Sequence, residues 1–469
     1  MPVKKPIYVW EHQFLPIDNE NFTERHFKLL VSYIERQNRK LSYMFDTSCR
    51  SGKDGILFKQ YVGVITVKDL TIYVLPKADK DAKEESEGDE KKKNEKLWQD
   101  RLTFMLSQVY KLNVQTTAPA NLKWRPNVLL NIFLKKFLDE VAVLLNRGLI
   151  KTYRKTDGNR TALKGKLLFN KQIAVNCVHQ ERFYVRYTTY DYNHILNRII
   201  RQALLAICDI TNSSDIKGRA TSTLFNFPEL DEIAVTPELF SRFIFDRKSE
   251  DYRNVIKLAE MILINYSPDL HHGNNHVWTL MFDMNKLWEE FVYVTLRRKL
   301  TTHDCKVEEQ DSRAFWRRTQ VGARAKTVRA DIVISKGEER FVLDTKWKTP
   351  YDKDSSGKPS ISDADLHQMY VYSHIYKHDD DISKNVKRVA LLYPRCNDEP
   401  DITGYFEDKD NKVGCDMLFL PQKEGGSQGD VNEKEYVHWR DQIAKKIETW
   451  INVNTKQINE STIKQSLLG

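Results

Sequence analysis

The chain has 469 residues, of which 41% are hydrophobic and 30% are charged, and its formal net charge is +9. This length is typical of about three domains, and the apolar fraction is large enough for packed cores, which excludes a disordered tail. The positive charge favours a polyanionic partner without proving one, because a solvated surface with charges of both signs is also ordinary.

Cysteine spacing and apolar runs exclude further classes of protein. The six cysteines form no C-x-x-C pair, so the sequence predicts neither a structural zinc site nor a disulfide framework. The first residues contain no secretory apolar segment, and no run of roughly 18 apolar residues occurs. We therefore expect a cytoplasmic protein without a membrane partner.

Residues 1–170 are predicted to form a mixed α+β region. The pattern indicates a strand at Ile7–Trp10, a helix at 24–38, and a hairpin at Tyr61–Val67 and Leu70–Leu75. The segment 79–96 is almost entirely charged and cannot bury apolar area, so we expect a solvated loop there.

Residues 171–275 are predicted to be mainly helical, and a buried helix is expected just before them at 128–145. Across 195–207, apolar residues recur at helical spacing, which is typical of a core-facing helix and not of a cofactor site.

Two polar segments of this part of the chain have competing interpretations. Residues 147–166 contain seven basic residues and one acid, which predicts either a solvated face or a surface for phosphates or an acidic partner. The residues His271, His272 and His276 do not have the spacing of a helical metal pair, and neighbouring turn residues favour a surface loop.

A third region is predicted at 276–469, and a helix begins in it at Met284. Glu289 lies at the edge of the apolar stripe of this helix. A glutamate at such an edge is usually solvated, but this helix can also direct the carboxylate towards the strands that follow. Position alone leaves both interpretations open.

A basic segment comes next, at 312–330. It contains no acid, includes the aromatic pair Phe315 and Trp316, and is suited to holding a phosphodiester backbone. The candidate DNA-contacting residues are Arg313, Arg317, Arg318, Arg324, Lys326 and Arg329.

The candidate catalytic residues lie on two strands predicted at 330–334 and 340–346, joined by a turn at Gly337. Side chains alternate along a strand, so Asp344 and Lys346 share one face, and Asp331 enters from the neighbouring strand. A lone acid and lysine are usually a surface ion pair. Here apolar residues directly precede Asp344, which predicts that it lies at the end of a core strand. A buried charge without a binding partner is costly in free energy, so a functional role is favoured. Two carboxylates can thus bind a hard divalent cation beside a lysine that orients water.

The helix predicted at 365–376 carries Gln368 and Tyr372, four residues apart and therefore on one face. Such a polar pair often lies on a solvated surface. If the helix packs beside Lys346, the pair can instead position the lysine or contact DNA. Strands at 389–393 and 417–420 and a closing helix at 436–451 complete the predicted region.

Asp331, Asp344 and Lys346 together resemble the PD-(D/E)XK nuclease core, although Ala330 stands where that family usually has proline. The resemblance implies an α/β fold whose C-terminal region is a restriction-endonuclease-like α/β/α core with a mixed sheet. It also implies Mg²⁺ as cofactor, bound by Asp331 and Asp344 with Glu289 contributing directly or through water. Gln368 and Tyr372 resemble an additional motif of RecB-like members.

Seven longer segments extend the resemblance beyond the nuclease core. They are YVGVITVKDLTIYVLPKA from Tyr61, GLIKTYRK from Gly148, LKGKLLF from Leu163, HQERFYVRY from His179, LNRIIRQAL from Leu196, FDMNKLWEEFV from Phe282, and DLHQMYVY from Asp365. With these segments, the chain resembles over nearly its whole length the McrC-type subunits of McrBC modification-dependent restriction systems. In FDMNKLWEEFV that family usually has phenylalanine where Trp288 stands, which favours Glu289 over Glu290 as the third acid.

The resemblance implies an endonuclease subunit that cuts double-stranded DNA carrying modified bases of the methylcytosine type. Its partner would be a hexameric McrB-like AAA+ GTPase, on which the N-terminal region docks and whose GTP hydrolysis it stimulates. We expect the hairpin Tyr61–Leu75 to be needed for this stimulation and removable without unfolding the nuclease region. The sequence contains no G-x-x-x-x-G-K-[ST] motif, so nucleotide binding is expected to reside in the partner.

Two alternatives stay open at this stage. One is a catalytically silent core that binds DNA as a scaffold for the motor. The other is a self-sufficient RecB-like nuclease of DNA repair, which cuts unmodified DNA without a GTPase.

Overall fold

A computed structural model describes most of the chain. The loop predicted at 79–96 and the residues His271, His272 and His276 lie outside the described part. The described residues are 6–18, 20–36, 44–68, 70–76, 101–111, 126–211, 213–240, 242–243, 245–264, 266–267, 277–301, 305–316, 326–348, 352–353, 359–360, 362–376, 385–394, 405–407, 413–420 and 433–452.

Helices and strands are both present from the N-terminal to the C-terminal part of the described chain. In the part that the structure describes, no helix is both long and apolar enough to cross a membrane. The helices are α1 (Glu24–Arg36), α2 (101–110), α3 (Pro126–Arg147), α4 (Phe169–Asn176), α5 (Ile195–Ile210), α6 (Ser214–Phe225), α7 (Pro237–Phe240), α8 (Arg253–Ile264), α9 (Met284–Leu300), α10 (Asp363–Ile375) and α11 (Glu433–Asn452), with a 3-10 turn at Glu250–Tyr252.

The strands belong to several separate sheets. They are β1 (Ile7–Trp10), β2 (Phe14–Pro16), β3 (Phe45–Arg50), β4 (Lys53–Phe58), β5 (Tyr61–Val67), β6 (Leu70–Leu75), β7 (Thr152–Arg160), β8 (Lys166–Leu167), β9 (Phe183–Asp191), β10 (Tyr266–Ser267), β11 (Val277–Asp283), β12 (Cys305–Trp316), β13 (Lys326–Lys336), β14 (Glu339–Thr345), β15 (Asp352–Lys353), β16 (Pro359–Ser360), β17 (Asn385–Pro394), β18 (Tyr405–Glu407) and β19 (Gly414–Leu420).

The N-terminal region is organised around a five-stranded sheet with the order β1-β6-β5-β11-β10. The predicted hairpin is confirmed, because β5 and β6 have the predicted bounds and pair antiparallel. Every residue of β6 is buried, and β5 lies at the centre of the sheet. The hairpin is therefore part of the core of the N-terminal sheet. The expectation that it can be removed without unfolding the nuclease region stays a prediction.

Strand β11 joins this sheet from a distant part of the sequence and pairs antiparallel with β5 along its whole length. Gly63 allows the close approach: its φ is +142°, and a Cβ there would lie 2.0 Å from the carbonyl oxygen of Leu280. The division into 1–170, 171–275 and 276–469 stays a prediction. The pairing of β11 with β5 ties the third of these regions to the first.

The middle region is largely helical, and α3, α5, α6 and α8 pack against one another. The helix predicted at 128–145 is confirmed as α3. The stripe predicted on α5 faces the core, because its apolar residues are almost completely buried: Leu196, Ile199, Ile200, Ala203, Leu204 and Ile207.

The basic residues of 147–166 lie mainly on a small sheet with the order β7-β9-β8. Arg154 forms ion pairs with Asp191, at 3.3 Å, and with Asp231, at 3.2 Å. Both acids lie outside residues 147–166. Part of the positive charge of residues 147–166 is therefore neutralised by other residues of the same chain.

The C-terminal region is a six-stranded sheet with the order β12-β13-β14-β17-β19-β18. Strands β14, β17 and β19 run parallel and the remaining pairs run antiparallel. Helices α9 and α11 cover one face, where the rings of Phe291 and Trp439 stack with centroids 5.1 Å apart. Helix α10 covers the other face, where Met369 and Tyr372 join the cluster that contains Val342. The predicted α/β fold with a mixed sheet is confirmed.

The strand expected at 330–334 is longer than predicted, because β13 extends from Lys326 to Lys336. It pairs with β12, a strand that the sequence analysis did not identify. Strand β12 lies at the edge of the sheet, where charged side chains are common and hide the alternation expected of a strand. The expected strand 340–346 is β14, which ends at Thr345, so Lys346 directly follows it.

A buried ion pair joins this sheet to α11. Arg388 on β17 and Asp416 on β19 are each 1% exposed, and the guanidinium donates to the carboxylate. The indole Nε1 of Trp450 donates to the same oxygen, Asp416 Oδ2, at 2.7 Å. Both charges are thus buried, and each is stabilised there by the opposite charge of its partner.

We expect Arg388→Met to lower the free energy of unfolding by about 3–5 kcal/mol, because it leaves a buried carboxylate without its counter-charge. The double variant Arg388→Met/Asp416→Leu should recover most of the loss, since both charges leave the interior together. Urea denaturation followed by circular dichroism measures both values. Equal stabilities of the single and double variants would contradict this explanation.

Candidate active site

The candidate site lies at the end of β14, in the middle of the mixed sheet. Val342 and Leu343 are completely buried, and Asp344 next to them is 2% exposed. Strand β14 pairs with β13 on one side and β17 on the other, and the backbone N–H of Lys346 donates to Leu392 O at 2.9 Å. The sheet therefore fixes the backbone on which the acid and the lysine stand.

The Asp344 carboxylate is enclosed by polar partners. Lys346 Nζ lies 2.6 Å from its Oδ2, and Gln368 Nε2 donates to its Oδ1 at 3.0 Å. Burial, and then repulsion from Asp331, raises the pKa of Asp344 to about 6, while Lys346 acts in the opposite direction. The ionised form of Asp344 is therefore stabilised in this buried position by the charge of Lys346 and the hydrogen bond from Gln368.

Helix α10 brings Gln368 and Tyr372 to this carboxylate. Gln368 accepts a hydrogen bond from Lys346 Nζ at 2.9 Å and donates one to the Tyr372 hydroxyl at 2.7 Å. That hydroxyl donates to Arg329 O at 2.7 Å and lies 3.2 Å from Asp344 Oδ1. The pair is therefore placed beside the lysine and not on a solvated surface.

Asp331 and Glu289 approach the same strand end from other elements. Asp331 Oδ2 on β13 accepts hydrogen bonds from the backbone N–H and the hydroxyl of Thr345, at 2.7 and 2.9 Å. Glu289 on α9 accepts from Gln310 Nε2 at 3.1 Å. Burial, and then the charge of Asp331, raises the pKa of Glu289 to about 7.

The neighbouring acid, Glu290, has a different environment. Its carboxylate pairs with Lys257 on α8 at 2.7 Å. Successive helical residues point about 100° apart, so α9 can direct only one of these two acids towards β13. That acid is Glu289, the one that the sequence favoured.

The donor set of this region fits a hard divalent cation. Asp331, Asp344 and Glu289 offer carboxylate oxygens, the ligands that Mg²⁺ prefers. A bound cation would also reduce the electrostatic repulsion among these three acids. Within the described residues, no three acidic, histidine or cysteine side chains form a ready-made metal shell. The hydrogen bonds that occupy Asp331 and Asp344 would have to rearrange on binding.

Comparison with known proteins identifies the family of the chain. A family model described as "McrBC 5-methylcytosine restriction system component" matches residues 56–394, which is most of the chain and includes all the candidate catalytic residues. The chain belongs to the McrBC family. The predicted resemblance is confirmed, and the protein is a component of a McrBC restriction system. No curated protein matches the sequence.

Two similar solved structures are both from Thermococcus gammatolerans. One is a refined half-complex from a tetradecameric assembly of McrB AAA+ hexamers with bound McrC; its matching chain is 18% identical, the match covers 94% of this chain and 100% of that chain, and the TM-score is 0.50. The other is a cryo-EM structure of the McrBC complex, with 20% identity, coverage of 63% and 88%, and a TM-score of 0.41. The first comparison shows a shared fold along nearly the whole chain.

Asp365, Thr345 and Gln310 contact the candidate residues but have no role predicted from the sequence. Asp365 Oδ1 lies 3.4 Å from Lys346 Nζ. A helical signal for Asp365 was available, because it precedes Gln368 by one turn and therefore shares its face. The contacts of Thr345 and Gln310 depend on how strands pair and could not be recognised from spacing.

The basic segment is only partly described. Arg313 forms an ion pair with Asp311 at 3.0 Å, so it does not present an isolated charge. Lys326 and Arg329 on β13 are exposed. Arg317, Arg318 and Arg324, which are also predicted to contact DNA, lie outside the described residues.

The N-terminal sheet reaches the candidate site directly. Trp347 Nε1, next to Lys346 in sequence, donates to the buried carboxylate of Glu11 at 3.0 Å. The ring of Trp347 packs on that of Trp288, with centroids 5.5 Å apart, and Trp288 precedes Glu289 on α9. A residue that directly follows β1 thus contacts the residue next to Lys346.

The raised pKa of Glu289 predicts how pH affects stability. In the metal-free protein the protonated acid is favoured by folding, so its stabilisation is complete below the ordinary pKa of 4.5 and is lost as pH rises through about 7. We expect Glu289→Gln to stabilise the metal-free protein at pH 8 more than at pH 5. Thermal melting in a chelating buffer across this range measures the difference. A benefit that is equal at both pH values would contradict the assigned environment of Glu289.

Proposed function

We propose that the chain is the endonuclease subunit of its restriction system and hydrolyses phosphodiester bonds of DNA that carries 5-methylcytosine-type modifications, with Mg²⁺ as cofactor. The observation that carries the proposal is the network of Asp344, Lys346, Gln368 and Tyr372 at a buried strand end, with Asp331 and Glu289 beside it. An ion pair with a purely structural role would not need the further carboxylates.

Asp331, Asp344 and Glu289 are the residues that would hold the cation. When bound, Mg²⁺ polarises the scissile phosphate and lowers the pKa of a bound water. The protein supplies the orientation: Thr345 holds the Asp331 carboxylate, and Gln368 holds that of Asp344. Burial of these groups strengthens every electrostatic interaction at the strand end.

Lys346 is proposed to orient the attacking water and to stabilise the charge that develops on the phosphate. Its ammonium group is held by Asp344 and by the amide oxygen of Gln368, which fixes its position at the rim of the site. Tyr372 in turn orients Gln368. Gln368 and Tyr372 thus act through the lysine.

We also propose a McrB-like AAA+ hexamer as partner. The similar structure from Thermococcus gammatolerans is that of McrB AAA+ hexamers with bound McrC. The sequence has no G-x-x-x-x-G-K-[ST] motif, and we propose that GTP hydrolysis takes place in the partner. The N-terminal region is the proposed docking part, and the hairpin Tyr61–Leu75 within it is proposed to be needed for the stimulation.

We expect Asp344→Asn to reduce Mg²⁺-dependent cleavage of methylated plasmid by about 1000-fold or more, because the amide keeps the shape of the side chain but loses the charge that attracts the cation. Lys346→Ala should reduce cleavage nearly as much with less effect on cation binding. Asp363→Asn is a matched control, since this carboxylate is exposed on the first turn of α10. Nicking and linearisation are measured with the McrB-like partner and GTP.

Two parallel measurements decide between the alternatives. Stimulation of the partner's GTPase should survive in Asp344→Asn, which shows that the protein still folds and docks. An Asp344→Asn protein that cuts at the normal rate would contradict the catalytic assignment and favour a scaffold. Cleavage of unmodified DNA without any GTPase would favour a self-sufficient repair nuclease.

A second test concerns the proposed DNA surface. Replacing Arg317, Arg318 and Arg324 together by Gln should weaken DNA binding and flatten its salt dependence, because each lost phosphate contact reduces the slope of log affinity against log salt by about 0.9. Fluorescence anisotropy at several salt concentrations measures the slope. An unchanged slope would place the DNA path elsewhere, with 147–166 as the next candidate.

A further inference from the structure

The Lys346 ammonium group lies between two carboxylates on different elements. Its Nζ is 2.6 Å from Asp344 Oδ2 on β14 and 3.4 Å from Asp365 Oδ1 on α10. Both acids are almost completely enclosed, with side chains 3% and 9% exposed, and the lysine is 19% exposed. The lysine can therefore change its closer partner by a small movement and without entering bulk water.

Asp365 is oriented for this contact by its other neighbours. Its Oδ2 accepts a hydrogen bond from the Ser362 hydroxyl at 2.7 Å and also pairs with Lys348. Because Oδ2 is held from that side, Oδ1 faces Lys346. Ser362 is the N-cap of α10, so the helix start itself fixes the carboxylate.

The closer partner of Lys346 is also a proposed ligand of Mg²⁺. Both oxygens of Asp344 are occupied, Oδ1 by Gln368 and Oδ2 by Lys346. A cation that binds Asp344 competes with the ammonium group, since two positive charges repel each other at short range. The lysine then needs another negative partner if it is to stay beside the site.

We propose that Asp365 is a positioning residue that takes over Lys346 when a divalent cation binds Asp344. The proposal rests on the proposed function, because it requires Asp344 to be a metal ligand and Lys346 to act near the phosphate. It gives Asp365 two effects: cation binding becomes easier, and the lysine is retained at the site.

The test is a direct titration of the protein with Mn²⁺, as a probe for Mg²⁺, by isothermal titration calorimetry without DNA. We expect Asp365→Asn to weaken Mn²⁺ binding by about tenfold, which corresponds to the loss of one charge-assisted contact. Asp365→Glu should restore much of the affinity, and Asp363→Asn should leave it unchanged. In cleavage assays, the Mg²⁺ concentration for half-maximal rate should rise in Asp365→Asn.

A double-mutant cycle separates this role from helix capping. In a Lys346→Ala background no lysine competes for Asp344, so adding Asp365→Asn should have little further effect on Mn²⁺ affinity. A capping defect would persist in that background and would appear as the same loss of stability in Ser362→Ala. An equally large effect of Asp365→Asn with and without Lys346 overturns the positioning role.

The same titration distinguishes failure of this proposal from failure of the proposed function. If the unmodified protein binds Mn²⁺, Asp344→Asn does not, and Asp365→Asn binds normally, only the role of Asp365 is overturned. If Asp344→Asn binds Mn²⁺ as well as the unmodified protein, the proposed metal site is overturned, and the role of Asp365 with it.

Discussion

The candidate site depends on a carboxylate that the mixed sheet takes out of water. Asp344 is buried because β14 lies between β13 and β17 with helices on both faces. Burying an ionised carboxylate is costly unless charges and hydrogen bonds replace its hydration. Lys346 and Gln368 supply these interactions directly, and Tyr372 orients Gln368. The chemistry and the stability of this strand end are therefore parts of one arrangement.

Much of the site could be predicted because it follows local periodicity. Alternation along a strand places Asp344 and Lys346 together, and the helical repeat places Gln368 and Tyr372 together; neither requires knowledge of the fold. The structure adds what joins the two pairs, the packing of α10 against the sheet. That contact joins residues far apart in the sequence. Residue spacing could therefore predict the role of Gln368 and Tyr372 only if α10 packs beside Lys346.

The errors have a common physical origin in strand pairing. Strand β12 was not predicted because its charged residues belong to a sheet edge. The central position of β5 was not predicted because its partner strand β11 lies more than two hundred residues later in the sequence. Gly63 is the one residue of β5 whose type reflects the close approach of β11. A glycine in a strand can also mark a bulge or a bend, so it did not identify the partner strand. Asp365 was missed for a different reason: its place on the face of Gln368 could be read from the helical repeat, but its contact with Lys346 could not.

The course of the chain from β11 into α9 limits how this protein can be divided. Strand β11 is paired with β5, and Asp283 at its end caps α9 by accepting a hydrogen bond from Asn285 N at 3.0 Å. A fragment beginning before β11 would carry a strand with an unpaired edge, which promotes aggregation. A fragment beginning after it would lose the cap of the helix that carries Glu289. A fusion protein that uses the C-terminal region should therefore also include the N-terminal sheet, so that β11 keeps its partner strand.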